Sequence, residues 1–484
     1  MRKVKPEGSS RRGFLRSTPG LYAASLLEAS AADAQSAEAA HDVTRTLARY
    51  LASSKPGDLP ENVRREGTRT LVNYVGCALG GSKEDAVSNA LAALAPLYPG
   101  GKTTIFGRRE KMDMLHGAMI NGISSHVLDF DDTHLKTVIH PGGPVAPALL
   151  ALAEHQKLTG EQLLHALILG CEVECRIGNA VYPAHYDIGW HITGSVGAFG
   201  AAAAAGKILG LDETKMLWAL GVAASQPVGL REMFGSMTKS FHPGRAAQNG
   251  LTAALLAAKG FTSSEQSIEA KRGWANVLSS TQKYGEITGQ LGERFETLLN
   301  TYKPFACGIV THPTIDGCIE LRNEHKLKPE QIRSVELTVH PLVPELTGKQ
   351  APTVGLEGKF SIYYIAAVAL ITGAAGPTQF TDQLVRDPGV NALREKVHIT
   401  VDKALKEDQV RVSIQLADGR VVTRFIEHAV GSVEKPMPDA ALDAKFLDLA
   451  SVALPAGRAK RLLELSRTVA TLPDAAAISR AAAA

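Results

Sequence analysis

The sequence predicts a mainly α fold in which a large all-helical domain is interrupted by a smaller α+β domain. Apolar residues recur three and four positions apart almost throughout residues 41–300, which is the period of a helix with one buried face. Stretches with the alternation of β-strands follow residue 303, and helical spacing returns from Asp439. Aromatic residues make up only 5% of the chain while alanine is abundant, which favours closely packed helices.

Seven segments before residue 300 predict helices with a buried face. The clearest repeat of apolar residues is Val63–Leu79. The other segments are His41–Ala52, Asp85–Tyr98, Ala148–Gln156, Gly160–Ile177, Gly197–Gly206 and Ala246–Gly260. The last two are rich in glycine and alanine, and because small side chains let helices approach closely they predict a crowded interior.

The strand-like segments predict a compact α+β domain. Its strands are expected at Ser334–His340, Val397–Val401 and Val410–Leu416, with Ala417–Arg420 as the turn of a β-hairpin that leads into Val421–Thr423, and a helix is expected at Ser361–Thr372. Two further helices, Asp439–Leu454 and Gly457–Thr471, are expected to pack on the first domain. We therefore assign residues 41–300 and 434–484 to the helical domain and residues 301–433 to the inserted domain.

Charge and cysteine usage exclude several classes of protein. The formal net charge is only +3 over 484 residues, and the basic residues are spread rather than concentrated on one segment, so nucleic acid is not an expected partner. No stretch is long and apolar enough for a transmembrane helix, so no membrane partner is expected. The five cysteines lack the spacing of a disulfide framework, an iron–sulfur cluster or a zinc site. We expect no metal and no cofactor.

The N-terminus differs from the rest of the chain. Ser10–Arg16 resembles a twin-arginine export signal, a short apolar stretch follows at Leu21–Leu27, and Ala32–Ala34 offers small residues for cleavage. The alternative for residues 1–40 is a disordered basic tail. A functional signal predicts a periplasmic location, and its absence a cytoplasmic one.

The densest group of polar side chains lies between two predicted helices. Asp129, Asp131 and Asp132 fall within four positions, and they are followed by Thr133 and His140. Burying so many carboxylates is costly unless they are paired or functional. The alternative is a solvated loop that caps a helix. A metal site built from Asp and His is less favoured, because no repeat of ligand residues supports it.

Two other segments place a lysine beside proline, glycine or aromatic residues, in predicted loops that precede helices. One contains Lys239 and His242, and the other contains Lys303. His191 adds a further imidazole, which by itself equally fits an ordinary histidine at the start of a helix.

Three motifs together resemble those of the MmgE/PrpD family. They are Asp-Phe-Asp-Asp-Thr with a downstream His-Pro-Gly, Lys-x-x-His-x-Gly-x-Ala-Ala, and Lys-Pro-Phe-Ala-Cys, and their order and approximate spacing match the family over about residues 42–470. The family includes 2-methylcitrate dehydratase, cis-aconitate decarboxylase and iminodisuccinate epimerase. The resemblance implies that the α+β domain is a lid, that the active site lies in the cleft between the domains, and that the protein is a homodimer.

The resemblance also implies the site residues. The catalytic residues expected by position are Asp129, Thr133, His140, His191 and Tyr364. Lys239 and Lys303, with the nearby His242, are expected to neutralise the carboxylates of a small polycarboxylate substrate. His140 with Asp129 is the candidate pair for proton transfer, and His191 and Tyr364 are alternative acids.

Two features depart from the family's decarboxylase. The stretch between Thr133 and His140 is one residue longer, and Gly308 stands where that enzyme has a catalytic histidine. The second departure disfavours decarboxylation. It leaves dehydration and epimerisation open.

We therefore expect a cofactor-independent hydro-lyase. It would remove a proton α to a carboxylate and dehydrate a hydroxy-polycarboxylate such as 2-methylcitrate. The alternative is an epimerase or isomerase of a dicarboxylate such as iminodisuccinate, which uses the same proton abstraction without a leaving group. A decarboxylase of the cis-aconitate type and a non-catalytic binding protein are less favoured.

Overall fold

The computed structural model of the protein describes residues 42–484. This part of the chain is mainly helical, as the apolar repeats predict. None of its helices is both long enough and apolar enough to cross a membrane. The segment that resembles a twin-arginine signal lies outside the described residues, so the export signal and the location derived from it stay predictions.

The helices before residue 300 include all seven that the sequence predicts. In chain order they are α1 (Val43–Ser53), α2 (Glu61–Gly80), α3 (Asp85–Leu94), α4 (Met114–His126), α5 (Gly142–Ala153), α6 (Gly160–Val181), α7 (Ala184–Asp187), α8 (Ile192–Ile208), α9 (Glu213–Ala224), α10 (Thr238–Ala258), α11 (Trp274–Leu278) and α12 (Gly285–Thr288). Two pairs of short strands also lie here: β1 (Thr103–Thr104) with β2 (Lys111–Met112), and β3 (Asp132–His134) with β4 (Asn300–Tyr302).

Two helices begin earlier than the sequence predicts. α5 starts at Gly142 and contains Pro147 in its interior, and α10 starts at Thr238 and contains Pro243. The prediction that Lys239 lies in a loop is therefore wrong, because it belongs to the first turn of α10. Proline removes one backbone hydrogen bond and usually ends a helix, but packing overrides that preference here, since both helices are largely buried.

The α+β region has the predicted strands and helix. Its elements are α13 (His312–His325), β5 (Ile332–Val339), α14 (Leu342–Thr347), α15 (Gly355–Gly358), α16 (Ile362–Thr372), α17 (Asp382–Val385), α18 (Pro388–Arg394), β6 (Val397–Val401), β7 (Val410–Leu416) and β8 (Val421–Ile426). The sheet order is β6-β5-β7-β8, in which β5 and β6 are parallel and the other pairs are antiparallel. The turn of the β7–β8 hairpin contains Gly419, whose φ of +90° explains the choice of glycine.

The C-terminal helices contact the helical region, as predicted. They are α19 (Asp439–Ala450), α20 (Ala456–Arg467) and α21 (Ala476–Ala482). α19 and α20 pack on α2, and α21 packs on α5. The domain boundaries at residues 301 and 434 stay a prediction.

One apolar core extends from the sheet to the polar segment after α4. It contains Leu337 of the sheet and Ile120 and Ile123 of α4, and it also contains Leu128 and Phe130. The two residues on either side of Asp129 are therefore fixed by the same core that supports the α+β region.

Helix α10 packs on α4 at a close contact between glycines. A Cβ atom on Gly244 would lie 2.3 Å from the carbonyl oxygen of Met119, and one on Gly122 would lie 2.6 Å from the Cα of Gly244. Both obstructing atoms belong to backbone, so neither can turn aside. This contact sets the distance between α10, which carries Lys239, and the segment that follows α4.

We predict that Gly244→Ala destabilises the protein and impairs the site. The added methyl group forces α10 away from α4, and overpacking of this kind costs about 1–3 kcal/mol. A fall in the free energy of unfolding, measured by urea denaturation, is expected. Gly457→Ala is the matched control, because a Cβ atom there meets nothing within 4 Å. Equal stability of the two variants would contradict the prediction.

Candidate active site

A cavity lies between the helical region and the α+β region. Its volume is about 460 Å³ including the mouth that opens to solvent. The lining includes six of the eight predicted site residues: Asp129, Thr133, His140, His191, Lys239 and Lys303. The remaining wall is mostly apolar and comes largely from the α+β region: Val138, Tyr186, Phe234, Gly308, Ile309, Val310, Leu346, Thr347 and Phe360.

The six polar residues reach the cavity from separate elements. Asp129 follows α4, Thr133 lies on β3, and His140 precedes α5. The others are His191 at the N-terminus of α8, Lys239 in the first turn of α10, and Lys303 directly after β4. The short β3–β4 ladder, in which Thr133 pairs with Thr301, joins the two distant segments that carry Asp129 and Lys303.

The polar segment after α4 is buried rather than solvated. Asp129, Asp131, Asp132 and Thr133 are all at most 3% exposed. The prediction of a solvated loop is therefore wrong, although Asp132 Oδ2 does accept a hydrogen bond from the N–H group of Gly142 at the start of α5. Asp129 has a φ of +50°, in the left-handed region where residues other than glycine are uncommon, so strong contacts must hold it there.

Two lysine side chains bind the carboxylate of Asp129. Lys303 Nζ lies 2.5 Å from Oδ1, and Lys239 Nζ lies 2.8 Å from Oδ2. Burial alone would raise the pKa of Asp129, but the two ammonium groups hold that pKa well below its usual value. Burial lowers the pKa of Lys239 in spite of its carboxylate partner. Together the side chains of Asp129, Lys239 and Lys303 carry two positive charges and one negative charge, so they attract a further anion.

Lys303 also binds backbone. Its Nζ donates to the carbonyl oxygens of Asp129 and Cys307, both at 3.2 Å. One ammonium group thus connects the segment after α4 to the segment after β4.

Two more buried lysines, Lys359 and Lys445, connect the same two segments. They bind the carbonyls of the residues before and after Asp129. Lys359 donates to the carbonyls of Leu128 and Ala306. Burial lowers the pKa of Lys359 to about 8. Sequence reasoning gave Lys359 no role, because a lysine within an apolar run does not by itself indicate which carbonyls it will meet.

Lys445 of α19 completes this arrangement. Its Nζ donates to Phe130 O at 2.6 Å, to Lys303 O at 2.9 Å and to Asn73 Oδ1 at 2.9 Å. The same ammonium lies 3.9 Å from the centre of the Phe130 ring. Burial lowers its pKa to about 8. Lys445 was also missed, since it lies about 140 residues after Lys303 in the chain.

The histidines of the cavity are uncharged at neutral pH. Burial lowers the pKa of His140 to about 3, and the pKa of His191 lies well below its usual value for the same reason. His140 Nδ1 donates to Asp132 O at 2.7 Å, and the hydroxyl of Thr133 lies 3.3 Å from the same nitrogen. An imidazole whose Nδ1 carries the proton presents Nε2 as a base.

The last two predicted site residues do not line the cavity. His242 lies behind His191, with 2.8 Å between their Nδ1 atoms, so it can orient His191 without meeting a ligand. Tyr364 is buried in the core of the α+β region, where its hydroxyl donates to Gln379 O. The structure therefore brings seven of the eight predicted residues together at the cavity or directly behind it, and only Tyr364 lies apart from them.

Gly308 lines the cavity beside Thr347. A Cβ atom on Gly308 would lie 3.2 Å from Thr347 Cγ2. This part of the wall thus has no side chain from residue 308. His312, one helical turn later, is buried against Phe305, and it is absent from the lining of the cavity.

Two groups of described side chains bring potential metal-ligand atoms together. One nitrogen each of His126, His140 and His191 lie within 4.8 Å of one another, and Asp408, His428 and Glu434 form a partly exposed group elsewhere. The spacing of the three histidines equally suits a cluster of side chains that transfer protons. The expectation of no metal stays a prediction.

The comparisons agree with the family resemblance. The model of the MmgE/PrpD N-terminal domain matches residues 45–287, and that of the MmgE/PrpD C-terminal domain matches residues 305–471. A cis-aconitate decarboxylase from Aspergillus terreus is 27% identical over 89% of this chain and 94% of its own length. A cis-aconitate decarboxylase from Homo sapiens is 28% identical over 90% and 94%. A 2-methylcitrate dehydratase from Cupriavidus necator is 23% identical over 75% and 80%.

We predict that Lys445→Met unfolds the protein at lower denaturant than the wild type. The substitution removes the donor of Lys303 O and leaves Phe130 O and Asn73 Oδ1 with only the weak thiol donor of Cys77, and each poorly satisfied buried group costs up to about 1–3 kcal/mol. Urea denaturation measures the loss. Lys460→Met is the control on the neighbouring helix, because Lys460 is exposed. An unchanged unfolding midpoint for Lys445→Met would show that the three carbonyl contacts contribute nothing.

The contribution of Asp132 to the stability of the protein should depend on pH. Burial and the neighbouring Asp131 raise the pKa of Asp132 to about 7. The folded state then binds more protons than the unfolded state between about pH 4 and pH 7, so the free energy of unfolding falls as pH rises through that window. Asp132→Asn removes this contribution. The stability of the wild type relative to the variant should be greater at pH 5 than at pH 8.

The control for this prediction is the exposed Asp418 in the β7–β8 turn. Its pKa is lowered by its hydrogen bonds with Arg420, so it stays ionised over the whole window. Asp418→Asn should therefore show the same stability difference at pH 5 and pH 8. If Asp132→Asn behaved like this control, Asp132 would have an ordinary pKa.

Proposed function

Since this chain belongs to the MmgE/PrpD family, we propose that it is a lyase that removes a proton α to a carboxylate and dehydrates a small hydroxy-polycarboxylate. The observation that carries the proposal is the combination of charges in the cavity. Lys239 and Lys303 share one carboxylate, and the two imidazoles beside them are uncharged.

The lysine pair accounts for binding. Among the described residues that line the cavity, the cations are Lys239 and Lys303, and Asp129 neutralises only one of their charges. A substrate carboxylate supplies the missing negative charge and accepts charge-assisted hydrogen bonds. The partly dehydrated surroundings strengthen this attraction relative to water.

The same lysines account for rate acceleration. Removal of the α-proton moves an electron pair onto the carboxylate, which becomes an enediolate with additional negative charge. Ammonium groups already in place stabilise that charge without reorganisation, and such contacts are worth about 10²–10³ in kcat. His140 is the base, because its Nδ1 proton is held by Asp132 O and its Nε2 is free to accept a proton.

Loss of water completes the reaction. As the enediolate collapses, the carbon–carbon double bond forms and the bond to the hydroxyl group breaks. The hydroxide leaves with the proton that His140 accepted from the α-carbon, so His140 returns to its neutral form, and His191, oriented by its hydrogen bond with His242, binds the departing oxygen. The products are an unsaturated polycarboxylate and water.

Decarboxylation is the second candidate. It is favoured by the two cis-aconitate decarboxylases, which are similar to this chain over about nine-tenths of its length. That reaction breaks a carbon–carbon bond, releases carbon dioxide and then needs a proton donor rather than a base. Uncharged imidazoles suit the base that dehydration needs first, and Gly308 has no side chain that could donate a proton, so both features favour dehydration.

The test is a substrate screen followed by proton NMR in deuterated water. The substrates are citrate and 2-methylcitrate as hydroxy acids, cis-aconitate as the unsaturated acid, and iminodisuccinate. We expect a hydroxy acid to disappear as an unsaturated product grows, seen as a vinylic proton signal from citrate or as a methyl singlet on the new double bond from 2-methylcitrate. Release of carbon dioxide from cis-aconitate would establish decarboxylation, and deuterium at the α-carbon without elimination would establish epimerisation. Absence of any reaction would contradict the proposal.

Two lysine variants test the assignment of the cavity. Lys239→Met and Lys303→Met should each lower kcat/KM for the substrate found in the screen by about 100-fold or more. Lys207→Met is the control, because Lys207 binds the carbonyls of Leu51 and Ala52 away from the cavity and should keep wild-type activity. Circular dichroism establishes that each variant is folded. Full activity in both cavity variants would place the site elsewhere.

A further inference from the structure

The carboxylate of Asp131 lies between two imidazoles behind the cavity. His126 Nδ1 is 2.8 Å from Asp131 Oδ2, and His140 Nδ1 is 3.6 Å from Asp131 Oδ1. His126 and Asp131 are each only 1% exposed. Neither residue lines the cavity, so neither is placed to meet a substrate.

The imidazole ring of His126 is held in one orientation by its contact with Asp131. His126 is the last residue of α4, and its ring lies 4.7 Å from that of His140 and 5.8 Å from that of His191, between ring centres. Nδ1 donates to the carboxylate of Asp131, so Nε2 is the ring nitrogen that faces away from it. That nitrogen is buried and has no hydrogen-bond partner among residues 42–484, which costs about 1–3 kcal/mol.

Asp131 is the carboxylate whose charge is available to His140. The charge of Asp129 is already bound by two lysines, and Asp132 meets His140 through its backbone carbonyl. Burial raises the pKa of Asp131, but the contact with His126, which includes a hydrogen bond, outweighs burial and holds that pKa below its usual value, so Asp131 is ionised. Its attraction for a positive charge 3.6 Å away is strong in a buried site.

We propose that Asp131, held by His126, is a positioning residue that stabilises the imidazolium formed on His140 during turnover. This inference rests on the proposed function, because it requires that His140 accept a proton. In the resting site His140 is neutral and the carboxylate is bound by His126 alone. When the substrate proton reaches His140 Nε2, the ring becomes a cation beside Asp131 Oδ1, and the barrier to proton transfer falls. The hydrogen bond from His126 fixes the carboxylate in the required orientation.

Asp131→Asn tests the charge. It preserves the shape of the side chain and removes its negative charge, so we expect kcat to fall by about 100-fold while KM changes by less than about 3-fold. Binding depends on the lysines, which this variant leaves in place. A variant with wild-type kcat would overturn the inference.

Two substitutions of His126 separate its hydrogen bond from its volume. His126→Asn keeps a donor close to the position of Nδ1 and loses the ring, whereas His126→Phe keeps the ring and loses the donor. We expect His126→Phe to lower kcat by about 10-fold or more and His126→Asn to recover most of that loss, as expected for an orienting hydrogen bond. Equal activity in the two variants, or a greater loss for His126→Asn, would overturn the inference.

The control is His165→Asn. His165 is a buried histidine of α6 that lies away from the cavity, and its Nε2 is 3.0 Å from Ser54 Oγ. Its substitution should therefore affect stability but not kcat.

Different results would overturn the inference and the proposed function. Wild-type protein inactive on every polycarboxylate overturns both. Wild-type protein that turns over a polycarboxylate, combined with a fully active Asp131→Asn, overturns only the positioning role.

Discussion

The contact between Asp129 and the ammonium groups of Lys239 and Lys303 is the interaction on which the site depends. A carboxylate buried at this depth requires partners, and the lysines require it equally, because an unpaired buried charge costs several kcal/mol. Three chain segments far apart in sequence must therefore meet at one point. The left-handed backbone of Asp129 is held there by these bonds, and Lys303 extends them to the carbonyl of Cys307.

The surrounding fold supplies the rigidity that this ion cluster needs. Lys359 and Lys445 each bind one carbonyl of the segment after α4 and one of the segment after β4, so they link the two segments. The glycine contact between α4 and α10 sets the distance to Lys239. A site that neutralises and then stabilises developing charge works best when its dipoles and charges are fixed beforehand.

Burial divides the ionisable groups of the cavity into two kinds. The lysines stay paired with a carboxylate, while the imidazoles of His140 and His191 lose their charge, since they have no carboxylate at hydrogen-bond distance in the resting state. Cations for binding and neutral bases for proton transfer therefore coexist within one small volume. Asp131, one layer behind, supplies a negative charge that gains importance only when His140 becomes protonated.

The sequence by itself determined the mainly helical fold, the strands and hairpin of the α+β region, the family, and six residues of the cavity, because periodicity and motifs are local properties. Only the tertiary structure decided that the segment around Asp129 is buried, that α10 continues through Pro243, and that Tyr364 lies outside the cavity. It also supplied Lys359, Lys445 and the His126–Asp131 pair. The physical reason is that burial, pKa and carbonyl contacts depend on neighbours up to about 300 residues away in the chain.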